Sequence, residues 1–178
     1  MIYFVRHGQT DDNLNNMVQG NGPLNETGLN QARETAEKLK NYKFDICFCS
    51  PMLRTKQTLN EIIKYHKNLK VIYDDRLIER QYYEIIGKSR ENLPDFDKRW
   101  DNNVKLPYNV ETIDQVYSRV SSFYDDLKNS FAKQNILIVS HKGVGRMTNA
   151  YFNGKPKDNI YSNFELKNGQ FLTFEFKE

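Results

Sequence analysis

The chain predicts an α/β fold of three layers, α/β/α, with a mostly parallel central sheet and antiparallel edge strands. Three observations carry that expectation. Short apolar runs alternate with segments of helical period, the pattern of strands joined by crossover helices. One run, Ile136-Leu137-Ile138-Val139, is unbroken by polar residues, as in a parallel strand covered on both faces. The chain closes on two alternating stretches separated by Asn168-Gly169, a strong hairpin signal.

The elements follow in order. Ile2 to Val5, apolar with β-branched and aromatic residues, reads as a buried first strand. Asp11 to Pro23 is rich in Asn and Gly and reads as a loop. Asn25 is placed to cap a helix whose apolar residues Leu29, Ala32, Ala36 and Leu39 fall on one face. Phe44 to Cys49 is the second strand, after which Ser50 caps a helix with Pro51 at its first position. His66 falls on that helix's apolar stripe and reads as structural. Val71 to Tyr73 is a short strand turned by Asp74-Asp75. Thr112 and Gln115 form a capping-box pair at the head of a long amphipathic helix ending near Phe131. A further helix is expected from Val144 toward Tyr151, and strands near Tyr161 to Leu166 and Phe171 to Phe176.

At 178 residues the chain suits one domain, residues 1–178, with a sizeable core. Residues 80–110 hold no clean period and read as a small excursion, either a cap over a site or an irregular loop packed on the body. With 28% charged and 38% hydrophobic residues the composition is that of a soluble globular protein. A net charge of +3, with basic residues spread along the chain, argues against nucleic acid. No apolar run approaches the ~18 residues of a membrane span, and no signal segment precedes the first strand. A cytoplasmic location is expected, with Cys47 and Cys49 as buried, unbridged thiols, one on each face of their strand.

The chemistry is expected at the strand ends, because ligands of open α/β sheets sit outside the carboxyl ends of the strands. The first strand runs directly into Arg6-His7-Gly8. By itself this tripeptide reads equally well as a histidine closing a strand beside a solvated arginine. The central strand, however, also delivers a histidine at its end, in Ser140-His141. Arg54, in the first turn of its helix, gains nothing from the helix dipole there, so its place suits a bound anion better than helix stability. If the two strands are neighbours, two arginines and two histidines gather on one rim, and a dianionic phosphate group is the natural occupant.

Arg6-His7-Gly8-Gln9-Thr10, then Ser50-Pro51 with Arg54 and Thr58, then Glu79, then Ser140-His141, resembles the histidine phosphatase superfamily, the phosphoglycerate mutase-like proteins. The resemblance covers nearly the whole chain and keeps the order of parts. It implies that His7 is the nucleophile and becomes a phosphohistidine, that Arg6, Arg54 and His141 hold the phosphoryl oxygens, and that Glu79 protonates the leaving oxygen and later activates water. It further places Thr10, Asn13, Gln19, Gly20, Arg80, Tyr82 and Lys142 where similar proteins contact phosphate or substrate. No metal or other cofactor is implied. The partner is a small phosphorylated substrate, with phosphate or sulfate as an expected occupant, and oligomeric state stays open. A phosphatase is favoured over a phosphoglycerate mutase-type phosphotransferase, because few residues separate Glu79 from His141, so the cap is short. Glu79-Arg80-Gln81-Tyr82 nevertheless resembles the mutase version of the acid segment. A phosphate-binding adaptor without turnover is the third reading; intact His7 and Glu79 argue against it. Tyr83, Ile86, Val110 and Lys142 depart from common residues of such phosphatases, which leaves the substrate pocket this chain's own.

Overall fold

The computed structural model describes residues 1–176. Five strands form one sheet in the order β3-β2-β4-β1-β5. These are β1 (Ile2–Arg6), β2 (Ile46–Cys49), β3 (Val71–Tyr73), β4 (Ile136–Ser140) and β5 (Phe171–Phe174). β1, β2, β3 and β4 are parallel; β5 pairs antiparallel with β1 and forms one edge. β4, every residue of which is buried, lies at the centre, as its unbroken apolar run requires.

The helices are α1 (Asp11–Leu14), α2 (Glu26–Leu39), α3 (Leu53–Ile63), α4 (Ile113–Phe131) and α5 (Lys142–Asn153). Alternate strand residues divide the core in two. Val5, Leu137 and Val139 pack with Ala36, Leu39, Leu59 and Ile62 of α2 and α3. Phe4, Phe48, Ile136 and Ile138 pack with Val120, Phe123, Met147 and other residues of α4 and α5 on the opposite face. Cys47 and Cys49 are buried free thiols, but both belong to the α2/α3 face. The expectation of one on each face miscounted the strand's period, since residues two apart point the same way.

Two of the three expected helix caps form. Asn25 accepts from Gly28 N at 2.9 Å, and Thr112 and Gln115 close a capping box on α4. Three expectations differ from the structure. The polar loop after β1 contains α1, with Thr10 as N-cap and Asn13 completing a second capping box. Ser50 does not cap α3: the N-cap is Met52, without a side-chain bond, and the serine hydroxyl turns toward His141. The terminal hairpin is absent among the described residues. Tyr161–Asn163 is a 3₁₀ turn, and of the stretch Tyr161 to Leu166 only the two ends are buried, with no strand partner. Gly169, at φ +72°, turns the chain so that its N–H meets the carbonyls of Arg6 and His7 at 3.1 and 3.2 Å.

Between β3 and α4 the chain makes short 3₁₀ turns at Asp75–Leu77, Tyr83–Ile85, Arg90–Asn92 and Phe96–Lys98. Tyr82, Ile85 and Phe96 bury their side chains with Val18 in a small cluster of their own. Backbone bonds join Val18 N to Lys88 O and Gly87 N to Val18 O, both at 2.9 Å. Tyr83 sits at φ +39°, a conformation that glycine adopts without strain.

Candidate active site

The carboxyl ends of β1, β2 and β4 lie on one rim. Arg6 of β1 pairs with Ser140 of β4, and His7 N continues the ladder to Ser140 O at 3.0 Å. The residues that follow are therefore neighbours: the rings of His7 and His141 are 5.1 Å apart between centroids. Gly8 is required next. A Cβ there would stand 2.2 Å from Gly28 O, so only glycine lets the turn lie against the head of α2. Thr58 of α3 secures this turn, its hydroxyl accepting from Gly8 N at 3.1 Å.

His7 is buried, and its hydrogen bonds assign its tautomer. Nδ1 lies 2.6 Å from Gly8 O; a carbonyl only accepts, so Nδ1 carries the proton and Nε2 the lone pair. Arg54 Nε donates to that Nε2 at 3.2 Å. Arg54 itself is wholly buried; its Nη1 donates to Gly20 O at 2.7 Å. Arg6 Nη1 donates to Leu166 O at 2.7 Å, and His141 Nε2 lies 2.8 Å from Ser50 Oγ. Three buried polar atoms around His7 have no protein partner: Arg6 Nε, Arg54 Nη2 and His141 Nδ1. Glu79 approaches from the segment after β3. Its Oε1 accepts from Arg80 N at 2.8 Å and its Oε2 from Gly143 N at 3.1 Å. Gly143 leaves just that space, since a Cβ would stand 2.0 Å from Glu79 Oε1.

Burial, reinforced by the charges of Arg54 and others, holds His7 and His141 well below the ordinary imidazole value of 6.5. Burial also pushes the Arg6 and Arg54 guanidiniums down, to about 10, where both stay charged at neutral pH. The site thus pairs two neutral imidazoles with two cations. The same shifts predict acid sensitivity. Below pH ~6.5 the unfolded chain protonates these two histidines while the folded chain does not, so stability falls as pH drops and unfolding takes up as many as about two protons. Well above that pH both states hold neutral imidazoles and the contribution levels off. Urea midpoints of the ligand-free protein at pH 7.5, 6.5 and 5.5 should fall slightly across the first interval, in which the unfolded histidines reach half protonation, and about threefold more across the second; a flat profile throughout would contradict the assignment.

A cavity of about 150 Å³ opens over this rim. Arg6, His7, Asn13, Gln19, Glu79, Tyr82 and Lys142 line it, so seven of the residues picked from sequence meet there. Arg54 and His141, both fully buried, contact or adjoin His7 but do not line the cavity wall. Three picks do not reach the cavity. Thr10 is buried, capping α1 and accepting from Gln19 Nε2 at 2.7 Å. Gly20 serves through its carbonyl, which takes Arg54. Arg80 is 5% exposed and its guanidinium bonds the carbonyls of Glu111 and Arg99; it braces the excursion instead of facing substrate. Arg90, Arg99, Trp100 and Arg146 also line the cavity, and sequence reasoning missed them. Arg146 had a signal, standing one helical turn after Lys142 on the same face. Arg90 and Arg99 had none, because no period in the excursion aims them. Among the described residues Glu79 is the one carboxylate of the cavity wall, against Arg6, Arg90, Arg99, Lys142 and Arg146. Lys142 also contacts the exposed Glu165 at 2.8 Å.

Among the described residues no group of three His, Cys, Asp or Glu side chains is placed to hold a metal ion, and no helix is long and apolar enough to cross a membrane.

The chain is similar to several known phosphatases. The phosphatase PhoE of Bacillus subtilis is 36% identical over 142 residues, covering 79% of this chain and 70% of PhoE. Fructose-2,6-bisphosphatase TIGAR of Mus musculus is 36% identical over 129 residues, covering 68% of this chain but only 48% of TIGAR. The crystal structure of the α-ribazole phosphatase of Shigella flexneri superposes with a TM-score of 0.81 at 27% identity, over 96% of this chain and 87% of that one. The model of the histidine phosphatase superfamily (branch 1) matches residues 2–178. With that match across a rim that sets two neutral histidines among arginines, the chain belongs to the histidine phosphatase superfamily, and it is a phosphatase of that type.

Proposed function

We propose that the protein is a phosphomonoesterase that needs no metal and works through a phosphohistidine. The observation that carries this reading is His7 Nε2: an unprotonated ring nitrogen, fixed by the Nδ1–Gly8 bond, beside an arginine and at the floor of a cationic cavity. Arg54 Nε gives up its bond to the Nε2 lone pair; attack by Nε2 then forms the P–N bond as the ester P–O bond breaks, and Glu79 gives its proton to the departing oxygen. Water then attacks phosphorus, Glu79 takes the proton, the P–N bond breaks, and phosphate leaves with His7 neutral again. Phosphoryl transfer spreads negative charge over the equatorial oxygens, so fixed donors do most of the work. Arg6 Nε, Arg54 Nη2 and His141 Nδ1, buried without protein partners, supply such fixed groups; His141 acts through whichever proton its bond to Ser50 leaves on Nδ1.

The substrate reading is a small metabolite whose organic part carries a second anionic group. Arg90 and Arg99 line the cavity with no carboxylate of the wall except Glu79 to balance them. The TIGAR relative, named for a bisphosphate, is of that chemical class. The test is hydrolysis of p-nitrophenyl phosphate in excess chelator, followed by phosphomonoesters paired by charge, such as 3-phosphoglycerate against glycerol phosphate. Turnover that survives chelator, with kcat/KM about tenfold or more higher for the doubly anionic partner, is expected. Phosphate exchange between phosphoglycerates without net hydrolysis would replace the hydrolase with a mutase, in which the acceptor is a sugar acid and not water. Binding of phosphate without either reaction would leave only the adaptor reading.

A further inference from the structure

Glu79 stands on a segment that has no regular secondary structure of its own after the turn at Asp75–Leu77, yet its carboxylate must meet a leaving oxygen to within a fraction of an ångström. Something outside the segment has to hold it. One ion pair does so. Arg119 of α4 grips Glu111 with a two-pronged contact, Nε to Oε1 at 2.7 Å and Nη2 to Oε2 at 2.9 Å. Both side chains are mostly buried. The remaining bonds of the pair run to the backbone around Glu79. Arg119 Nη1 donates to Arg76 O at 2.7 Å and Nη2 to Glu79 O at 3.3 Å. Glu111 Oε2 accepts from Gln81 N at 3.0 Å, while Glu111 N donates to Gln81 O at 2.9 Å. The peptide between these anchors carries the Arg80 N–H that holds Glu79 Oε1.

We infer that Arg119 and Glu111 are positioning residues for Glu79, setting where its carboxyl stands over His7. The inference rests on the proposed role of Glu79 as proton donor. The fork matters more than the charge. Only a guanidinium reaches the carboxylate with two donors and two backbone carbonyls with the rest. A lysine keeps the charge and loses the geometry. An equally buried pair that merely stapled the excursion to α4 would protect stability but leave proton transfer untouched.

Leaving-group dependence separates the two roles. Phenyl phosphate needs a proton on its departing oxygen; p-nitrophenyl phosphate, with a far better leaving group, needs it little. The readout is kcat/KM for the two esters, which reports the steps through formation of the phosphoenzyme. Glu79→Gln should lower the phenyl/p-nitrophenyl ratio by about a hundredfold. Arg119→Met should lower the same ratio by about tenfold, Arg119→Lys by less, and Glu111→Gln in the same direction. If Glu79→Gln leaves the ratio unchanged, the role of Glu79 is wrong. If Glu79→Gln shifts the ratio while Arg119→Lys and Glu111→Gln slow both esters equally, or neither, the positioning inference is overturned and the acid survives. Should Arg119→Met fail to fold, the two milder variants decide alone.

Discussion

Replacing His7 with alanine should abolish hydrolysis, lowering kcat by on the order of 10⁴-fold or more. No second group can substitute for it. His141 lies beside it, but its Nε2 is engaged with Ser50 and its ring is not part of the cavity wall. The loss should fall on turnover and spare binding. Arg6, Arg54 and His141 keep their places in the variant, so calorimetry should show inorganic phosphate binding within about tenfold of the wild type. Hydrolysis near the wild-type rate would remove the covalent step from the mechanism.

The second large effect belongs to Arg54. Arg54→Lys keeps a positive charge at a fully buried position but cannot reproduce three directed contacts at once: Nε to His7 Nε2, Nη1 to Gly20 O, and Nη2 aimed free beside the imidazoles. A shorter, point-like cation leaves the Gly20 carbonyl or the phosphoryl oxygen without its donor. We expect kcat/KM to fall about 10²–10³-fold, the scale of removing one preorganised donor from a developing negative charge. Urea unfolding should show a folded variant of lowered stability, since a buried carbonyl loses its partner. Activity within about threefold of wild type would mean that charge alone suffices and that the fork is incidental.

Much of this was legible in the sequence because parallel strands translate order into position. Ile136 to Val139 could only be a central strand, and once β4 lies beside β1 in register, the residues after each strand must meet. That places His7 beside His141 with no further information. Arg54 was legible for a different reason: a buried-length side chain at a helix start, where its charge is unfavourable, calls for an anion. What escaped was set by contacts remote in sequence. Ser50 has the look of an N-cap, and only the arrival of β4 gives its hydroxyl a better partner in His141. Arg80 was read as facing substrate because Glu79-Arg80-Gln81-Tyr82 resembles the mutase version of the acid segment, yet its guanidinium turns back to the carbonyls of Glu111 and Arg99. Asn168-Gly169 does make its turn, but the partner of that turn is the end of β1, not a flanking strand. Arg90 and Arg99 hang on 3₁₀ turns without period, whose aim depends on the small cluster of Val18, Tyr82, Ile85 and Phe96.

If an uncharged imidazole, held neutral by burial and by Arg54, attacks phosphorus, rapid quenching of the enzyme with ³²P-labelled substrate and mapping of the labelled peptide will trap the phosphoenzyme. The label should be stable to base and labile to acid, confined to His7 and lost in His7→Ala. Turnover with no label at any time point, or a label on another residue, would contradict it.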